Sequence, residues 1–136
     1  MDVLLSIKPE YVKRITRGEK KYEFRKKIFK SSDIGRIFIY SSSPEKKIIG
    51  SFRIGAILRD HPELLWDQVK EEAGIDYDAY CKYFSGKTEG YAIQINDLKI
   101  LSIPIDPKEF DPCFTAPQSY QYLPKTYFLS IERFIV

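Results

Sequence analysis

The run Gly18-Glu19-Lys20-Lys21-Tyr22-Glu23-Phe24-Arg25 decides how this 136-residue chain is read. A short basic helix leads into it and a strand leads out. Strand alternation sets Lys21, Glu23 and Arg25 on one face and Tyr22 and Phe24 on the other. Three charges on one strand face are either a solvated surface or a site, and an exposed Glu23–Arg25 ion pair is the plain structural alternative. Upstream, Val3–Ile7 reads as a strand. Pro9 fits the first turn of a helix, where its missing N–H costs little. Tyr11, Val12 and Ile15 form the apolar stripe of that helix, and Gly18 is its stop.

Working outward, the second strand is expected over Lys20–Lys27 and a third, apolar and central, over Arg36–Tyr40. Ser41-Ser42-Ser43-Pro44 forms a loop. Lys47–Leu58 holds one long strand, with Gly50 and Gly55 marking a bulge or close backbone approach. Two helices follow, one opened by Pro62 and one capped by Asp76, with Trp66 expected in the helix core and His61 a flank of the first helix. Strands resume at Gly90–Ile95 and Leu98–Ile105. Residues 106–125 carry four prolines and read as a long ordered loop, and Thr126–Val136 as a closing strand. The implied architecture is α+β: a mixed sheet curled into a small β-barrel with flanking helices, in one domain over 1–136 with a helical insertion at about 62–86.

Apolar content of 43% with 30% charged residues describes a globular domain. No apolar run is long enough to span a membrane, and the N-terminus shows no signal peptide, so a cytoplasmic protein is expected. Cys81 and Cys113 lack metal spacing and are expected to be buried and reduced. Net charge is only +3, but it is unevenly spread. Lys8 to Lys30 holds ten Lys/Arg against three acids, while Asp60 to Tyr80 holds seven acids against Lys70. A basic segment beside an acidic one suits an anionic ligand held in one place. No metal-ligand cluster or cofactor motif is present. With one histidine, no Ser-His-Asp or Cys-His set can be assembled.

The run Gly18-x-Lys20-x-x-Glu23-x-Arg25, placed after a strand and a helix opened by Pro9, resembles the signature of ASCH domains in the PUA-like superfamily of small β-barrels. Tyr40-Ser41-Ser42-Ser43-Pro44 followed by Ile48-Ile49-Gly50 resembles the strand-loop-strand lining that family's cleft. The resemblance implies a cleft between the first helix and the barrel that binds RNA or a modified nucleoside or nucleotide. Lys20, Lys21, Glu23, Arg25, Ser42, Ser43, Gln118 and Tyr120 are the candidate binding residues. Lys20 and Arg25 suit phosphate or base edges, and Glu23 suits an exocyclic amine. Gln118 and Tyr120, in the long loop, suit base-edge hydrogen bonding and stacking.

One subgroup of that family hydrolyses the acetyl amide of acetylated cytidine. It uses a Lys matching Lys20 and a Thr where this chain has Glu23. The hydroxyl is lost here, and only if the protein is an enzyme do Lys20 and Glu23 become catalytic candidates, as a burial-tuned acid/base pair. Nuclease activity, attributed to some members, is a further alternative. A protein-interaction role for the acidic helices at 62–86, with an unknown partner, is the reading from another class.

Overall fold

The computed structural model describes residues 1–124. Its order is β1 (Asp2–Ile7), α1 (Pro9–Thr16), β2 (Tyr22–Arg25), β3 (Arg36–Ser41), β4 (Lys47–Asp60), α2 (Pro62–Val69), α3 (Tyr77–Tyr83), β5 (Gly90–Ile105) and β6 (Tyr120–Leu123). Among the described residues these strands make one six-stranded mixed sheet in the order β2-β5-β4-β3-β1-β6. Among the described strands only the β1–β3 pair is parallel. This is the expected α+β class, a curled half-barrel sheet with helices against it.

Among the described residues, three apolar clusters hold it together. Val3, Leu5, Ile7, Ile37, Ile39 and Phe52 fill the inside of the curl, and α1 lays Val12 and Ile15 on them. Alternate residues of the same strands, Leu4 and Phe38, pack on the opposite face with Ile105, Phe114 and Leu123. The third cluster joins Phe24 and Ala92 of the sheet to Leu65, Val69, Tyr80 and Phe84 of the helices. The 62–86 segment therefore completes a core. Trp66 packs against it half-buried, and His61 caps α2 by accepting the Glu63 N–H.

Several expectations are corrected. The two strands drawn at 90–95 and 98–105 are one strand, β5. Asp97 lies in the left-handed region at φ 48°, and Arg36 ties both its carboxylate (3.0 Å) and its carbonyl (2.9 Å), so the strand bends without breaking. β4 follows the bend through three register shifts against β5. At one of them Gly50 lets the chains close up: a Cβ there would strike the Lys99 carbonyl and lie 3.2 Å from Ile100 Cα. β2 is shorter than read, four residues rather than eight. The stretch read as loop contains β6, which pairs antiparallel with β1, Leu5 opposite Tyr120 and Val3 opposite Tyr122. Both cysteines are exposed. Tyr80 and Phe84, one turn apart, take the inner side of α3, so Cys81 turns outward. Asp76 stands at the N-cap of α3 but makes no side-chain cap bond. The expected strand at 126–136 lies outside the described residues. None of the described helices is long and apolar enough to cross a membrane.

Candidate nucleic-acid site

β2 presents Glu23 and Arg25 toward the inside of the curl and Phe24 toward the helices. Glu23 pairs in register with Ile93 of the inner cluster, and Phe24 with Ala92 of the helical one. The alternation expected from sequence is therefore present, but its solvent exposure is not. Glu23 and Arg25 retain 6% and 8% of their surface. Arg25 Nη2 donates to Glu23 Oε2 at 2.7 Å and to the Ser6 carbonyl at 2.9 Å. Its Nη1 reaches Ser119 Oγ at 3.3 Å, and its Nε is buried without an acceptor. The ion pair thus replaces the exposed pair of the sequence reading with a buried one that fastens β2 to β1 and to the 117–119 loop.

Lys20 lies at the base of this group, 3% exposed. Its Nζ donates to the Ala73 carbonyl at 2.9 Å, stands 4.0 Å from Glu23 Oε1, and sits over the Phe24 ring at 4.6 Å. Burial pulls its pKa down to about 8 from the usual 10.5; Glu23 opposes the shift, and Arg14 and Arg25 add to it. The cleft tyrosines move the other way. Burial raises the pKa of Tyr11, Tyr40 and Tyr83, so each stays a protonated hydroxyl. Lys20 is thus the cleft group brought toward neutrality.

Around this floor opens a cleft of about 1400 Å³ between α1, α3, the 42–46 turn and the 114–119 loop. Ten Lys and Arg residues line it against Glu10, Glu23 and Asp76. Of the sequence candidates, Lys20, Glu23, Arg25, Ser42, Ser43 and Gln118 meet on it. Two do not line it. Lys21 points to the surface, where Glu72 draws its amine to 3.3 Å. Tyr120 faces Phe29 edge-on, ring centroids 5.7 Å apart, beside the inner core. Ser41 is fully buried.

Residues not singled out from sequence also line the cleft. They include Tyr11 and Arg14 of α1, Lys46, Tyr83 of α3 and Ser119, and they are joined by Tyr40 from the strand-loop-strand motif read as cleft-lining. Tyr11 was masked by its helical spacing, which reads as core. Ser119 had no local signal: it enters through the β1–β6 pairing, where its carbonyl accepts the Ser6 N–H at 3.0 Å. Among the described residues no group of three His, Cys, Asp or Glu side chains could hold a metal.

The family model of the ASCH domain matches residues 5–101. The chain belongs to the ASCH domain family. A curated relative, an ASCH domain-containing ribonuclease of Zymomonas mobilis, is 33% identical over 126 residues, covering 91% of this chain and 85% of its own. The crystal structure of an ASCH protein from Zymomonas mobilis superposes with a TM-score of 0.90 at 30% identity, over 99% of this chain and 96% of that one. Structures of a Tyr-to-Phe and a Ser-to-Ala variant of it superpose equally well. A large ribosomal subunit protein uL22 of Ureaplasma parvum is 25% identical over 88 residues, 65% of this ASCH domain but only 28% of that protein.

Proposed function

We propose that this ASCH domain binds single-stranded RNA along the basic cleft and cleaves it through the ribose 2′-hydroxyl. The observation that carries the proposal is the cleft itself: nine Lys and Arg side chains besides Lys20, against three acids, around about 1400 Å³. Sites for one small molecule usually span about 300–1,000 Å³, so this one has room for several nucleotides. Cations in that number suit phosphates. Tyr11, with Arg14 at 5.5 Å, and Tyr83, with Lys26 at 4.7 Å, give splayed bases aromatic faces that a stacked duplex would not use. The named relatives, a ribonuclease and a ribosomal protein, agree in keeping company with RNA.

The chemistry follows from the protonation states. Neutral Lys20 takes the proton of a 2′-hydroxyl as its oxygen bonds to phosphorus. Arg25 and Lys46 offer charge to the phosphoryl oxygens. The bond to the 5′-oxygen breaks, and a protonated hydroxyl, Tyr40 or Ser119, supplies the proton that oxygen needs. The Tyr-to-Phe and Ser-to-Ala variants of the Zymomonas protein support attention to these two hydroxyl types. The products are a 2′,3′-cyclic phosphate and a 5′-hydroxyl. The test is an end-labelled RNA oligonucleotide beside its all-deoxy counterpart at pH 8. RNA should be cut and DNA left intact, with the rate falling about 10²–10⁴-fold in Lys20→Met, the usual worth of a general base. Intact RNA at enzyme excess, or DNA cut as fast as RNA, would sink the proposal.

A second reading has one observation in its favour: a buried amine 4.0 Å from a carboxylate, a pair suited to amide hydrolysis. Acetylated cytidine should nevertheless be deacetylated only slowly, because Glu23 stands where the hydrolytic subgroup has a Thr hydroxyl. Rapid turnover that disappears in Lys20→Ala would reverse the ranking.

A further inference from the structure

We infer that Gly74 is a positioning residue: the turn at Ala73–Gly74, between α2 and α3, seats the Lys20 amine at the cleft floor and needs a glycine to do so. The inference rests on the reading of Lys20 as proton acceptor only for its consequence in catalysis. The seating itself is geometric. Three successive residues of the turn hold the Gly18–Arg25 run and the α1 helix that precedes it. The Glu72 carbonyl accepts the Lys21 N–H at 2.9 Å, the Ala73 carbonyl accepts the Lys20 ammonium at 2.9 Å, and the Gly74 carbonyl accepts Arg14 Nη1 at 3.0 Å. Gly74 has φ +61°, and a Cβ built on it would strike Lys20 Cβ and lie 2.6 Å from its Cα. The absent side chain is thus the space that Lys20 fills.

Two other glycines separate this demand from ordinary turn chemistry. Gly18 (φ +76°) and Gly86 (φ +77°) have the same left-handed backbone, yet nothing lies within 4 Å of a Cβ built on either. Substitution there meets backbone strain alone. At Gly74 it meets strain and also pushes Lys20 off its seat. The groups facing the amine are Glu23 and Arg25 from β2, Arg14 and the Tyr11 ring from α1, and the Ala73 carbonyl from the helical segment. Displacement into the open cleft would rehydrate the amine and return it toward ordinary lysine behaviour.

The experiment compares Gly74→Ala with Gly86→Ala in protein carrying carbon-13 lysine, titrated by NMR. The Lys20 Cε resonance should titrate near pH 8 in the parent and in Gly86→Ala, and at least one pH unit higher in Gly74→Ala. Equal midpoints in the two folded variants would overturn the inference. Should Gly74→Ala fail to fold, Ala73→Gly loosens the same turn with no collision, and its midpoint should also rise; an unchanged one would likewise overturn it. RNA cleavage against pH serves as the second readout. A shifted NMR midpoint with no RNA cleavage in the parent leaves the seating standing and removes the ribonuclease reading. An unshifted midpoint with active parent does the reverse.

Discussion

Lys20 makes stability depend on pH in a direction opposite to that of most surface lysines. Its amine titrates near 8 in the folded chain and near 10.5 when unfolded. Below pH 8 both states hold the proton, and the buried charge is a standing penalty. Between about 8 and 10.5 the unfolded chain holds a proton that the folded one has released, so unfolding becomes harder as pH rises. Lys20→Met removes this slope. From pH 7 to 9.5 the parent should gain about 2 kcal/mol relative to the variant by urea unfolding, at 1.36 kcal/mol per pH unit over the part of the window crossed. The comparison cancels every other titrating group. A parallel pH dependence in the two proteins would mean that the amine is hydrated. From sequence, the identity of Lys20, Glu23 and Arg25 as one group was legible, because strand parity and the Gly18 turn bring them together. Their burial was not, since it depends on Ala73 and Ser119, 53 and 94 residues away along the chain from the groups they bond.

At the scale of elements, the helical segment packs on the sheet and completes a core, as its aromatic spacing implied. Its acidic composition and aromatic spacing were legible as two helices, and the structure places both near the expected positions. What composition hid is that the pair backs β2. Phe24 meets Tyr80 and Phe84 edge-on at 5.0 and 6.3 Å, and Leu65 is fully buried beneath them. Leu65→Ala should cost about 2–5 kcal/mol, the range for a buried leucine, read as a lower urea midpoint at unchanged slope. The proposed RNA cleavage should fall in the fraction that remains folded, because the helices carry the Lys20 seat. Full activity in that fraction would detach the segment from the site. The splitting of β5 in the sequence reading has a physical origin. Asn96-Asp97 has turn composition, but Arg36 reaches from β3 to hold Asp97 in line, and β4, with Arg53 opposite Asn96, pairs through it, overriding local preference.

For the molecule as a whole, charge separation is the governing feature. The sequence showed a basic 8–30 and an acidic 60–80 segment, and folding puts the first along one wall of the cleft while most of the acids of the second face outward, away from it. Binding of an RNA oligonucleotide should therefore weaken with salt, the logarithm of affinity falling by about 0.7 per logarithm of salt for each phosphate neutralised on a single strand. A slope of roughly −3 would correspond to about four such contacts. Fluorescence anisotropy across potassium chloride concentrations measures it, and a flat response would leave room only for a nucleoside.

The β1–β6 pairing has a consequence for the life of the chain on the ribosome. β1 emerges among the first residues and its edge partner among the last described, with Leu5 waiting for Tyr120. Arg25 likewise waits for Ser119, and the cleft has no far wall until residues 114–119 have been made. Synthesis at about 5–20 residues per second separates these events by several seconds. During that interval the cleft lacks its 114–119 wall and the site is unfinished. An RNA-cutting activity of the kind proposed would therefore be withheld from the nascent chain until both sides of its cleft had been translated.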